Sequence, residues 1–267
     1  MTSDDTPAVC LTLDLEEDWS IPNAPDRNPT FDRLDDYIAM VSGLDVPVSV
    51  FAVGRTIERH PEVVDRLRTE LETEFHVHSY QHDMTRSYDF PTEARASIEA
   101  YESFFGEPPA GYRAPQGNIV PEEWVELERA GFEFDASVFP SYRPGVYNNL
   151  DAPLTPYVPD VTDDLLEIPF AAVPWLRIPV SMNYLKLLGS PFLWTVKKVP
   201  LPDPLVFDSH LQDYWRTEFH EHLPSPKRRL MTRNIDRAPE MFVDFMRFLD
   251  AEGYEFTTMS EVYRRYA

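Results

Sequence analysis

The first half of the chain alternates apolar, β-like runs with amphipathic, helix-like ones, and few folds accept that rhythm. Residues 9–15 read as a buried strand, 46–53 as a second and 75–78 as a short third. Between them, residues 31–42 place Phe31, Leu34, Ile38 and Val41 at helical spacing. Residues 61–71 place Val63, Val64, Leu67 and Leu71 on one face, with Pro61 suited to a first helical turn. The pattern continues with helices over 92–105, 122–130 and 239–251. Further short strands are expected over 111–113, 134–137, 166–169, 205–209 and 254–257. Strand–helix alternation with short connections requires parallel strands and right-handed crossovers. Packed into 267 residues, seven or eight such units predict an α/β fold, a barrel rather than an open sheet. We expect a single domain over 1–267. Chemistry in such a barrel collects at the C-terminal ends of the strands.

One stretch breaks the rhythm. Residues 140–204 hold twelve of the 26 prolines. That density is incompatible with long helices or central strands. The stretch also carries Trp175, Tyr184, Phe192 and Trp194, too many aromatics for a solvated linker. It is expected to form long irregular loops capping one end of the barrel.

Charge narrows the function classes. There are 46 acidic residues against 24 basic ones, a formal net charge of −22. Such a chain repels nucleic acid and anionic membranes. Of the basic residues only Lys186, Lys197, Lys198 and Lys227 are lysines. Abundant acids with little lysine resemble the surfaces of proteins from salt-loving organisms, where salt screens the self-repulsion. The expected result is a melting temperature that rises with salt; one that stays flat or falls removes the halophilic reading. A single cysteine, Cys10, excludes an intramolecular disulfide framework and a cysteine-rich zinc finger. No apolar run reaches the ~18–20 residues that a membrane span needs, and the N-terminus lacks the pattern of a secretory signal. The expectation is a cytoplasmic protein without stable membrane insertion; oligomeric state is left open.

Histidines give the sharpest chemical signal. His78 and His82 are four apart, so a helical turn or a tight loop would bring both rings to one side. Zinc hydrolases use that spacing for two of their ligands, although a polar surface loop carries it as readily. The first strand runs into an acidic cluster, and alternation puts Asp14 and Glu16 on the same side. A solvated acidic turn is the plain alternative. Arg113, Asp135 and His210 also fall at predicted strand ends. Singly they read as an ion pair, a cap and a rim histidine; together they point to one catalytic rim.

In this order the segments resemble the five motifs of the polysaccharide deacetylases, carbohydrate esterase family 4 with its NodB homology domain. Thr12-Leu13-Asp14-Leu15-Glu16 resembles the first, and His78-Ser79-Tyr80-Gln81-His82, preceded by Glu74, the second. Arg113-Ala114-Pro115-Gln116-Gly117 resembles the third, Asp135-Ala136-Ser137 the fourth, and the strand ending in His210 the fifth. The resemblance covers about residues 8–264 and implies an α/β fold, a distorted TIM-barrel-like (β/α) barrel of about seven parallel strands forming one catalytic domain. It implies a hydrolase that removes N-acetyl groups from an amino sugar or glycan. It implies a divalent metal, Zn2+ in the first place and Co2+ or another ion as alternatives. His78, His82 and Glu16 would hold it, with Asp18 the rival carboxylate, because the family's common pair of adjacent aspartates is interrupted here by Leu15. Asp14 would be the general base, oriented by Arg113. His210 would be the general acid, its proton affinity tuned by Asp135. Two other functions fit the same barrel: a glycan-binding domain that has lost its metal, and a cytosolic amidase of small cyclic amides.

Overall fold

The computed structural model describes residues 6–21 and 27–267. Its strands in chain order are β1 (Ala8–Leu15), β2 (Val48–Ala52), β3 (Thr73–Val77), β4 (Gly111–Tyr112), β5 (Phe134–Asp135), β6 (Tyr142–Arg143), β7 (Tyr147–Asn148), β8 (Leu166–Glu167), β9 (Leu205–His210) and β10 (Glu255–Phe256). Seven of them form the parallel order β9-β1-β2-β3-β4-β5-β8, curled into a distorted barrel. β10 adds to the first two residues of β1, also in parallel. β6 and β7 make a separate antiparallel hairpin. Edge strands β8 and β9 meet across a seam, where the Ala171 N–H donates to the Val206 carbonyl at 3.0 Å.

Every residue of β1 is buried, as befits a strand with both faces covered. Its two faces see different cores. Val9, Leu11, Leu13 and Leu15 pack outward under helices such as Leu34–Ser42, Pro61–Glu70 and Ala238–Ala251. Cys10 points inward, into a smaller cluster with Phe51, Phe134, Leu166 and Val206. Met259 and Val262, from the C-terminal helix Met259–Tyr266, seal the lower end of that interior. Space there is short: a Cβ on Gly111 would lie 2.2 Å from the Phe134 ring. The inward positions of the strands therefore run from an apolar floor up to a polar rim.

The expected elements form with boundary shifts of a few residues. The helix expected over 92–105 starts earlier, at Phe90–Phe105, because the Asp89 carboxylate caps it by accepting from the Thr92 N–H. Residues 140–204 are less irregular than their prolines suggest. Besides the hairpin and β8 they contain two short helices, Met182–Leu188 and Ser190–Val196. Pro191 sits in a first turn, where its missing N–H costs nothing, and Gly189 at φ 73° breaks the chain between the two helices. The C-terminal helix had no counterpart in the sequence reading; its buried face is only Met259 and Val262.

Candidate active site

Alternation along the strands decides which side chains reach the rim. Asp14 shares the inward face of β1 with Cys10 and Thr12, and Glu16 continues that phase just past the strand. Val206, Asp208 and His210 are in phase on β9, and Phe51 faces inward from β2. His78 follows β3, its N–H donating to the Ala52 carbonyl at 2.9 Å as if the ladder continued.

His78 and His82 meet through a tight loop rather than a helix. Ser79 and His82 both take positive φ, 57° and 55°. The buried Glu93 carboxylate holds the loop by accepting from the Tyr80 and Gln81 N–H groups at 3.0 and 2.6 Å. The two imidazole centroids lie 4.9 Å apart. His78 Nδ1 is 2.9 Å from the Arg113 carbonyl, an acceptor, so Nδ1 carries the proton and Nε2 is left as a lone-pair donor. His82 Nε2 lies 2.9 Å from Glu16 Oε2. Glu16, His78 and His82 thus offer three ligand atoms within 4.8 Å of one another.

Glu16 Oε1 accepts from Gln212 Nε2 at 2.7 Å, while its buried Oε2 faces His82 Nε2. A carboxylate oriented in this way beside two imidazoles is a donor set that fits a divalent cation. Burial works to raise the Glu16 pKa, yet the nearby His82 outweighs it and holds the carboxyl well below its ordinary range. Burial lowers His78 to about 4, which keeps its ring neutral, as a ligand requires. Asp18 is engaged elsewhere. Its carboxylate accepts from the Thr30 N–H and hydroxyl at 2.8 and 2.5 Å, so it does not join the histidines.

Arg113 is buried between two rings, its Cζ 3.7 Å from the centroid of Phe51 and 4.4 Å from that of Phe170. Nε donates to the Ala136 carbonyl at 3.0 Å. Nη1 reaches Thr12 Oγ1 at 2.9 Å and Asp14 Oδ1 at 2.6 Å. That fixes Asp14 and leaves its Oδ2 facing His78 Nε2 at 3.6 Å and His210 Nε2 at 3.7 Å. Burial favours the neutral acid, but Arg113, His78 and His210 overcome it and lower the Asp14 pKa.

The expectation for Asp135 is corrected. Phe134 and Ala136 face into the barrel, so Asp135 between them faces outward. Its carboxylate accepts from Trp124 Nε1 at 2.8 Å and Ser137 Oγ at 2.6 Å. It also shares a buried hydrogen bond with Glu167, whose carboxyl is pushed well upward by burial and by the charge of Asp135. Ser137 Oγ in turn accepts the Ala114 N–H at 2.7 Å. Asp135 therefore braces the loop after Arg113 and does not meet His210.

The groups around His210 are ones the sequence reading missed. Asp208 Oδ2 lies 4.0 Å from Nδ1 and Asp213 Oδ2 lies 3.3 Å from it; Asp213 Oδ2 also accepts the His210 backbone N–H at 3.0 Å. Lys186 Nζ holds the other Asp213 oxygen at 2.8 Å, and both side chains are fully buried. Burial alone would lower the His210 pKa; Asp208, Asp213 and Asp14 reverse that and raise it well above the ordinary value. Burial, then the charge of Asp14, pushes Asp208 up to about 7. Its two-residue spacing from His210 was the available signal. The rival histidines lie apart: His222 pairs with Glu218 at 3.2 Å on the surface, and His220 Nδ1 accepts the Thr217 N–H.

Asp14, Glu16, His78, His82, Arg113, Asp208 and His210 line one cavity of about 380 Å³, walled further by Trp19, Phe139, Tyr147, Phe170 and Tyr184. A base, a protonated imidazole and a three-ligand cation site on one wall are the components of metal-assisted amide hydrolysis.

Comparison with known proteins agrees with the motif resemblance. The family model for polysaccharide deacetylase matches residues 25–134. No curated protein matches the chain. Among solved structures, a protein from Mycobacterium smegmatis assigned to the polysaccharide deacetylases superposes with a TM-score of 0.63 at 20% identity, over 99% of this chain and 91% of that one. The Puue allantoinase gives 0.59 at 16% identity, over 100% and 92%. A CE4 family pseudoenzyme from Bacillus anthracis gives 0.58 at 12% identity, over 97% and 66%. At these identities the structural likenesses establish the fold.

Proposed function

Taking the chain as a relative of the polysaccharide deacetylases, we propose that it is a metal-dependent hydrolase removing N-acetyl groups from an amino sugar or glycan. The convergence of Glu16, His78 and His82 beside Asp14 carries this reading. A divalent ion held by those three side chains, Zn2+ by the chemistry of the donor set, would polarise an acyl carbonyl and lower the pKa of water. Asp14, fixed by Arg113 and ionised, takes the proton of the attacking water through its free Oδ2. His210, held protonated by its carboxylate neighbours, gives a proton to the departing amine nitrogen. Arg113, sealed between Phe51 and Phe170, keeps the base ionised and aimed. The complete donor set argues against a binding domain that has lost its metal.

The test is metal content together with acetate release. Wild-type protein purified without a polyhistidine tag should carry about one divalent ion per chain and release acetate from N-acetylglucosamine oligomers. His78→Ala and His82→Ala should each lose stoichiometric metal while remaining folded. Full metal content in both variants, by elemental analysis, removes the reading. Turnover of cyclic imides without acetate release from the oligomers would transfer the site to the cyclic-amide alternative.

A further inference from the structure

Inside the site Asp14 pairs with Arg113 and Asp213 with Lys186. Two further cations nevertheless line the same cavity, Arg143 from the β6–β7 hairpin and Lys227 from the helix Ser225–Met231. Neither has a carboxylate within ion-pair distance among the described residues. Both of these side chains are exposed at the rim.

Their placement is shaped. Lys227, Leu230 and Met231, at i, i+3 and i+4, turn one face of their helix to the cavity. Lys227 Nζ sits 4.0 Å from the centroid of the Trp19 ring, which itself lines the cavity above Glu16. Arg143 stands opposite Tyr147 in its own hairpin and near Tyr184 of the helix Met182–Leu188. Partial burial lowers the Lys227 pKa, and the charge of Arg143 lowers it further, so the two cations share a field and repel each other. The charge of Glu16 acts against this lowering but does not overcome it. A ligand bearing negative charge would relieve the repulsion further.

Resting on the deacetylase reading, we propose that the substrate is an N-acetyl amino sugar carrying a phosphate ester, held at the cavity mouth by Arg143 and Lys227. Two cations lining one cavity suit a phosphate better than a single carboxylate, since the guanidinium fork engages two oxygens and the ammonium takes another as a point charge. The requirement is sharpened by the rest of the molecule. A surface of net charge −22 repels an anionic substrate at long range, so a phosphorylated sugar needs local cations to be retained.

The test is a binding measurement, kept separate from turnover. N-acetylglucosamine 1-phosphate, N-acetylmuramic acid and N-acetylglucosamine are titrated into wild-type protein and the double variant Arg143→Gln, Lys227→Gln, with Tm confirming the fold of each. Wild type should bind the sugar phosphate at least about tenfold more tightly than the neutral sugar, and that ratio should fall close to one in the variant. Equal affinity for phosphate and neutral sugar in wild type overturns the proposal. So does a preference shared fully by the carboxylate sugar, or one that survives in the variant. Acetate release is followed independently. Its absence with every sugar counts against the deacetylase reading and leaves the affinity ratio to stand or fall alone.

Discussion

Asp14→Asn should retain its metal and lose about 10²–10⁴-fold in kcat, the range that general base catalysis is worth. Asparagine keeps the size of the side chain and an oxygen to accept from Arg113 Nη1, but it cannot take a proton from water. His210→Asn should cut kcat at least about a hundredfold, also with metal retained, since its imidazole is not among the three ligand groups. The pH profiles separate the two roles. His210 has a raised pKa, so its protonated form, the one an acid needs, persists above the ordinary histidine range. The alkaline limb of the wild-type profile should therefore lie above that range and disappear in His210→Asn. Asp14 has a lowered pKa, so the acidic limb should lie below the ordinary aspartate range. His222→Ala should behave as wild type. Near-normal turnover in Asp14→Asn would move the base elsewhere, and an alkaline limb lost in His222→Ala but kept in the His210 variant would reverse the assignment of the acid.

Lys186→Met should be among the most damaging substitutions for stability. Lys186 and Asp213 form a fully buried ion pair at 2.8 Å. Removing one partner of such a pair leaves an uncompensated charge and costs about 3–5 kcal/mol. Lys186 holds the Asp213 pKa far below the usual range, against the pull of burial. That lowered carboxyl stabilises the fold above the ordinary aspartate pKa and loses its contribution as pH falls through the folded value. That contribution, and the loss of stability on acidification that goes with it, should shrink in Lys186→Met. The double variant Lys186→Met, Asp213→Leu should recover much of the stability, because two apolar side chains of similar size need no compensation. It should not recover turnover, because Asp213 also accepts from the His210 N–H and faces its Nδ1. Chemical denaturation of the three variants checks the first claim and acetate release the second. A Lys186→Met protein as stable as wild type would mean that the pair is dispensable.

Much of the barrel was legible because its strands are short apolar runs and its helices carry regular apolar stripes. β1, β2 and β9 show this, as do the helices Pro61–Glu70 and Ala238–Ala251. Residues with local signatures were legible too: His78 and His82 by spacing, Asp14 and Glu16 by phase. The failures come from side-chain parity and from contacts between distant segments. Asp135 was assigned by its position near a strand end, but its alternation with Phe134 and Ala136 turns it to the outer face, toward Trp124. Asp208 was overlooked although it shares a phase with His210. Lys186 had no sequence signal at all. It sits on a helix in the proline-rich stretch, and only the folded chain brings it 27 residues forward to Asp213. The helix Met259–Tyr266 was missed because two buried residues make too narrow a stripe to read.

The site draws on the chain unevenly. Asp14, Glu16, His78, His82 and the Glu93 that braces their loop all lie within the first 93 residues, on or just after β1 and β3 and on the helix Phe90–Phe105. The walls that a substrate touches, from Phe139 through Tyr147 and Tyr184 to Lys227, come later, from hairpin, loops and short helices that supply none of the three ligand groups. The proposed ligands and base are thus written in one stretch of the gene, while the proposed acid His210, with Asp208 and Asp213, shares the later stretch with the walls. Exchanges there that leave residues 205–213 in place would alter which molecule is admitted without touching the groups proposed for the chemistry.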